Sequence, residues 1–240
     1  MPSELHIHKL LLSLNEGSKS LPFLNLENLC FREGISILCG VSGSGKSTFL
    51  EAVCGMRPLE RLNLALDGNQ FDLLDTHQRE TFFGDHVSVQ YQDPELLKEL
   101  SCRENLQLFE RLCAKPAPAY EFFLDVITEL GIDGILDKNI TRISRGEAQR
   151  ISLGRALLYS QRILILDEPL VYFQIDLRER VWNLIQRMVK ERSLICIMAT
   201  HDPQFFTPSG QGSLFHCYRD AKGLGHLTQV HGEVAGDGVI

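Results

Sequence analysis

The run Gly40-Val41-Ser42-Gly43-Ser44-Gly45-Lys46-Ser47 has the spacing GxxxxGK[ST]. Its glycines let the backbone curl until successive N–H groups converge on an anion. A helix opened at Lys46 adds its positive end to the same place. Lys46 then reaches the β- and γ-phosphates of a nucleotide, and the Ser47 hydroxyl is a ligand for Mg²⁺. Thr48 completes the expected contact set, which spans residues 40 to 48. A glycine turn that binds nothing is the competing reading. The buried strand before the loop and the helix after it speak against that reading.

A second chemical group is Asp167-Glu168, which closes the apolar run Ile163 to Leu166. Ligands of open parallel sheets bind beyond the carboxyl ends of the strands. Asp167 is the expected carboxylate on the metal side. Glu168 is placed to hold an attacking water as general base, a role that contributes about 10²–10⁴-fold in rate. A solvated acidic turn ahead of Pro169 is the bland alternative, and the phosphate loop in the same chain weakens it.

The elements that must position these groups are legible as hydrophobic patterns. LHIHKLLLSL and FLNLENLCF alternate like half-buried antiparallel strands, with a turn over Asn15 to Lys19. Ile35 to Cys39 is an apolar run of the kind buried on both faces of a sheet, and it leads directly into the glycine loop. A helix follows over Lys46 to Cys54, stopped by Gly55 and Pro58. From Pro94 to Tyr159 the pattern is helical. Ser101 with Glu104, and Ser144 with Glu147, are capping boxes. Phe123, Val126, Ile127 and Leu130 recur at helical spacing before Gly131. Strand, helix and strand at Ile163–Leu166, Leu177–Lys190 and Leu194–Thr200 imply a parallel sheet. SLFHCY and HLTQV form a closing hairpin around a Lys-Gly turn.

Composition bounds the setting. The chain has 240 residues, 44% of them hydrophobic and 23% charged, which suits one α/β domain. A net charge of -7 repels phosphate backbones, so nucleic acid is not an expected partner. The cysteines number seven, an odd count, and form no CxxC pair, which fits a reducing compartment. The start lacks the basic and apolar regions of a signal peptide. No run approaches the ~18 apolar residues of a membrane span, so any spans must come from other chains.

Taken together the motifs resemble those of ATP-binding cassette ATPases, from about Leu5 to Gly232. VSVQYQDPELL is similar to the family's Q-loop, with Gln92 as its glutamine. ISRGEAQRISLGRALL is similar to the signature segment, with Ser144, Gly146 and Glu147 matching. ILILDEP matches the acidic strand, and ATHD supplies the switch histidine, His201. The length and motif spacing are loosely similar to lipoprotein-release, macrolide-export and cell-division cassettes. The resemblance implies a P-loop NTPase fold in one domain. Its mostly parallel core and an N-terminal antiparallel β subdomain cover about residues 1–92 and 160–230. A helical subdomain is inserted over about residues 93–159. Separately, the glycine-rich composition of residues 231–240 reads as a mobile tail.

The resemblance also implies roles. Gln92 senses Mg²⁺ and the attacking water, and His201 contacts the γ-phosphate and positions Glu168. Ser144, Gly146 and Glu147 act on ATP bound to a second cassette subunit, like or unlike. An integral membrane permease docks on Gln92 and the region Asp93 to Leu112, which places the chain on the cytoplasmic face of a membrane.

Departures from the family pattern stand beside this. Arg145 replaces the signature's first glycine. Gln174 falls where an aspartate is expected, with Asp176 two residues late. Around Leu11 to Leu14 there is no aromatic to stack on adenine; either the base is held more weakly or Phe23 takes the place. Two alternatives to a transporter ATPase stay open: a soluble cassette ATPase without a transport role, and a nucleotide-gated dimerising module with weak hydrolysis. A small-molecule P-loop kinase needs neither the ISRGE segment nor the acidic pair.

Overall fold

The computed structural model describes residues 3–16, 19–57, 59–112, 116–202 and 209–230. The expected tail at 231–240, the centre of the first turn at 17–18 and the helix stop at Pro58 lie outside the described residues.

β1 (Glu4–Glu16) and β2 (Lys19–Arg32) pair antiparallel, with Leu5 opposite Phe31 and Leu10 opposite Leu26. Leu5, Ile7, Leu10 and Leu12 of β1 and Leu24, Leu26, Leu29 and Phe31 of β2 are buried in one core cluster, although the two halves of each strand differ in side-chain parity. β3 (Gly34–Cys39) is buried along its whole length and runs into the glycine loop and α1 (Lys46–Val53). Gly55, at φ 70°, ends this helix in the left-handed conformation that other residues avoid.

The sequence pattern leaves residues 59–86 without elements, and the structure builds a hairpin and a helix there. β4 (Arg61–Leu66) and β5 (Asn69–Asp72) turn at Asp67 and Gly68, both at positive φ, as a tight primed turn requires. α2 (Thr76–His86) is capped by Asp75, whose side chain accepts from the Gln78 N–H. β6 (Val87–Gln90) follows.

The next section is helical, as expected. α3 (Cys102–Leu106) opens on the Ser101–Glu104 capping box. A break at Gln107 separates it from α4 (Leu108–Leu112). α5 (Tyr120–Glu129) and α6 (Arg145–Leu158) complete this part. β7 (Ile163–Asp167), α7 (Ile175–Glu191) and β8 (Ile195–Ala199) form the expected strand–helix–strand unit. A short β9 (Ser209–Gly210) precedes the closing hairpin of β10 (Leu214–Arg219) and β11 (Gly225–Val230).

The strands make one sheet in the order β5-β4-β1-β2-β11-β10-β3-β8-β7-β6, with β9 beside β3. From β10 to β6 the neighbours are parallel, while β1, β2, β4 and β5 are antiparallel. The pleat of the parallel strands separates two cores. Ile37, Leu164, Leu166, Cys196 and Met198 face a core shared with α5, α6 and α7. Leu38, Ile163, Ile165, Ile195 and Ile197 face a second core shared with α1 and the antiparallel strands. The buried positions of α7, Val181, Leu184, Ile185, Met188 and Val189, make the single apolar stripe that holds it on the sheet.

Candidate functional site

A cleft of about 240 Å³ opens at the carboxyl ends of the parallel strands. It is lined by Ser42, Gly43, Gly45, Lys46, Ser47, Thr48, Gln92, Glu168, His201 and Arg219.

The register of the sheet brings these residues together. Leu38, Ala199 and Asp167 lie in one row across β3, β8 and β7. One step further, the Thr200 N–H donates to Leu38 O at 3.2 Å and the Glu168 N–H donates to Ala199 O at 3.0 Å. The loop bearing Lys46, the acidic pair and His201 therefore leave the sheet side by side. Glu168 sits at φ 50°, a left-handed conformation that costs energy in a residue with a side chain and recurs at functional sites.

The phosphate loop is shaped by its glycines. Gly40, Gly43 and Gly45 have φ of 141°, 79° and 108°. A Cβ on Gly40 would lie 2.2 Å from Cys217 O, so no larger residue fits. Gly45 caps α1 without a side-chain hydrogen bond, and the first turn of α1 holds no acidic residue. The leading amides and the helix dipole are thus left for an external anion. The Lys46 Nζ donates to Gly40 O at 2.8 Å and to Val41 O at 3.2 Å, which holds the ammonium inside the loop. Burial lowers its pKa. Ser44 is buried, and its hydroxyl has no partner.

Asp167 lies beneath the cleft. Burial pushes its carboxyl up to about 6, opposed by a hydrogen bond from the Ser47 side chain, while Glu168 and Glu51 raise it further. Its Oδ1 is buried with no partner. A bare carboxylate oxygen beside a serine hydroxyl is a donor set that suits a hard divalent cation such as Mg²⁺.

Glu168 is also buried, which raises its pKa. Its Oε2 accepts from the His201 backbone N–H at 3.3 Å. Its Oε1 lies 3.2 Å from His201 Nε2 but makes no hydrogen bond. That oxygen keeps its lone pairs for another proton donor. His201 Nδ1 is 3.4 Å from Lys46 Nζ. Burial and the Lys46 charge lower the His201 pKa.

A sequence profile described as "ABC transporter" matches residues 25–171, well over half the chain. The chain belongs to the ABC transporter family. It is 31% identical to the lipoprotein-releasing system ATP-binding protein LolD 1 of Rhodospirillum rubrum, over 83% of this chain and 89% of that protein. It is 29% identical to the molybdenum import ATP-binding protein ModC of Saccharophagus degradans, over 80% of this chain and 52% of that protein. The chain spans about half the length of the import-type relatives it matches. Among solved structures, the cassette MJ0796 in a dimeric state bound to ADP and Pi superposes with a TM-score of 0.78. It is 19% identical, and the match covers 95% of this chain and 100% of that one.

The signature segment of this ABC family chain does not line its own cleft. Ser144, Gly146 and Glu147 form the N-terminus of α6. The Ser144 Oγ accepts from the Glu147 N–H at 3.2 Å, and the Glu147 carboxylate accepts from the Ser144 N–H at 2.7 Å. The Ser144 N–H and the Ser144 hydroxyl both donate to the Glu147 carboxylate and lower its pKa. Arg145 turns away from the helix end toward its own chain. Its guanidinium bonds Asp93, the neighbour of Gln92, and lies 5.1 Å from the centre of the Tyr172 ring.

Gln174 is the N-cap of α7, and its side chain makes no cap hydrogen bond. Asp176 stands in the first turn, and Arg178 Nη1 bonds Asp202 at 2.8 Å, which ties α7 to the residue after His201. Phe23 does not face the cleft. It is buried under the Arg219 guanidinium, whose carbon lies 3.8 Å from the ring centre. Arg219 escapes the sequence motifs altogether; only the pairing of β10 beside β3 delivers it to the loop.

Proposed function

We propose that this chain is the ATP-binding and ATP-hydrolysing subunit of an ABC transporter, working as a dimer of cassettes. The observation that carries the reading is the convergence of Lys46, Ser47, Asp167, Glu168 and His201 on one cleft, each at a strand end or helix start. The amides of residues 42 to 48 bind the phosphates, and Lys46 turns from its loop carbonyls to the β- and γ-oxygens. Ser47, Asp167 and Gln92 are the residues to hold Mg²⁺, which when bound neutralises charge between the phosphates. Glu168 Oε1 accepts the proton of the attacking water, and His201 keeps the carboxylate oriented.

Ser144, Gly146 and Glu147 stand apart from their own cleft, so a nucleotide at α6 belongs to a second cassette. The positive end of a capped helix suits a γ-phosphate there. Val41, Val171 and Ile175 are 63%, 50% and 83% exposed beside the cleft and the segment after the acidic strand. Such apolar exposure favours a face that another subunit covers.

None of the helices in the described residues is long and apolar enough to cross a membrane. In this reading a separate permease carries the membrane-spanning part, as the transporter names of the relatives suggest, with this chain peripheral on the cytoplasmic face. The docking region is Gln92 with the stretch Asp93 to Leu112 of the helical subdomain (residues 93–159), where Leu97 is 45% exposed. The core and β subdomain at residues 1–92 and 160–230 carry the nucleotide.

The test is phosphate release by the purified chain. Hydrolysis that requires Mg²⁺ and stops in EDTA is expected, with loss of ATP binding in Lys46→Ala by calorimetry. Tight ATP binding by that variant would refute the phosphate-loop assignment.

A further inference from the structure

We propose that the Arg219 guanidinium, backed by Phe23, is the platform on which this chain stacks the purine of its nucleotide, and that the platform does not distinguish adenine from guanine. The proposal rests on the nucleotide reading above.

β1 offers no ring at the cleft, because Leu10 and Leu12 point into the core. Phe23 offers none directly, since Arg219 covers its face. Arg219 itself lines the cleft and is exposed. Its Nε donates to Gly43 O at 2.9 Å, inside the phosphate loop, and its Nη1 donates to Gly223 O at 3.3 Å. Two of its five donors are thereby tied to carbonyls, which fixes the plane of the guanidinium. It lies at stacking distance from Phe23, so its opposite face is what it presents.

A planar, weakly hydrated cation stacks well on aromatic bases. Phe23 beneath it, close to the space beside Gly45, fixes its height above the loop. Stacking uses the π-face that every base has, and leaves the hydrogen-bonding edge unread. The other lining residues belong to the phosphate loop, the acidic strand end, Gln92 and His201. Among the described residues, Arg219 is thus the lining group left for the base.

Binding of Mg-ATP, Mg-GTP and Mg-tripolyphosphate to the full chain, by calorimetry, tests this. Wild type is expected to bind both nucleotides with similar affinity, and each more tightly than tripolyphosphate. Arg219→Ala is expected to weaken both nucleotides by roughly ten-fold and leave tripolyphosphate unchanged. Arg219→Lys, which keeps the charge and loses the plane, is expected to behave like alanine. Equal weakening of tripolyphosphate would show that Arg219 only props the loop through Gly43, and would overturn the platform. Unchanged nucleotide affinity in Arg219→Ala, restoration by lysine, or a strong wild-type preference for ATP over GTP would overturn it too. A wild-type chain that binds tripolyphosphate but no nucleotide more tightly also removes the platform. A chain that binds none of the ligands removes the nucleotide reading itself.

Discussion

The Lys46 Nζ and the His201 Nδ1 face each other at 3.4 Å. An ammonium only donates, so in the tautomer that accepts from it Nδ1 presents its lone pair and the proton sits on Nε2. The other ring contact, a hydrogen bond to the Gly40 carbonyl, is made by a ring N–H and raises the pKa. Nε2 is the nitrogen beside the Glu168 carboxylate. The Nε2–H tautomer is the one expected beside the lysine, and it turns that N–H toward the base.

This tautomer is directly observable. ¹⁵N NMR of the nucleotide-free chain should show His201 protonated on Nε2, with a pKa below its ordinary 6.5, because burial and Lys46 both disfavour the cation. The unfolded chain then takes up the proton first on acidification. This group's share of stability is therefore present above 6.5 and is lost as pH falls through the lower folded value. A signal for the Nδ1–H form, or a raised pKa, would contradict the arrangement.

Glu168→Gln keeps the shape and loses the base. ATP binding should survive, while turnover drops by at least about 10²-fold in a phosphate-release assay. Retained ATP and slowed release should also trap a dimer, visible by size exclusion. Steady-state hydrolysis at the wild-type rate would remove Glu168 from the role.

Asp167→Asn should trade function for stability. The carboxyl, pushed up to about 6, keeps in the folded state a proton that the unfolded chain has already released. Its contribution is present below 3.8 and is lost as pH rises through about 6. In metal-free and nucleotide-free protein at neutral pH, the asparagine variant should be more stable, by at most about 3 kcal/mol. Chemical denaturation at neutral pH and near pH 4 checks this, since the advantage should vanish at the acid end. Loss of the stabilisation conferred by Mg-ATP should accompany it.

Gln174→Asp should supply the side-chain cap that α7 lacks. A carboxylate at that position accepts from the free amides of the first turn and meets the positive helix end, a gain of about 1 kcal/mol. The denaturant midpoint should rise with an unchanged m-value. A fall would mean that Gln174 has a partner of its own.

Much of the site was legible because its chemistry is local. Gly40 to Thr48 is a contiguous loop, and the Ser144–Glu147 cap closes within one turn. Asp167, Glu168 and His201 each end an apolar run, which identifies a strand end without any knowledge of its neighbours. The hairpin at Asp67-Gly68 was legible in principle, since that dipeptide supplies both positive φ values. α2 was not, because most of its surface is exposed and only Phe82 is buried. Arg219 was beyond reach for another reason. Its partner carbonyl on Gly43 lies 176 positions away along the chain, and only the strand order makes them neighbours. The break at Gln107 gave no signal either, as the apolar spacing continues across it.

The shared row of Leu38, Ala199 and Asp167 has an evolutionary consequence. A single inserted or deleted residue in β3, β7 or β8 would slide one functional group by about 3.3 Å and turn its side chain to the opposite face. Length changes in these strands are therefore ruled out while hydrolysis is under selection. The hairpin tip at 67–68 is free of that constraint, and drift in chain length among descendants should accumulate there.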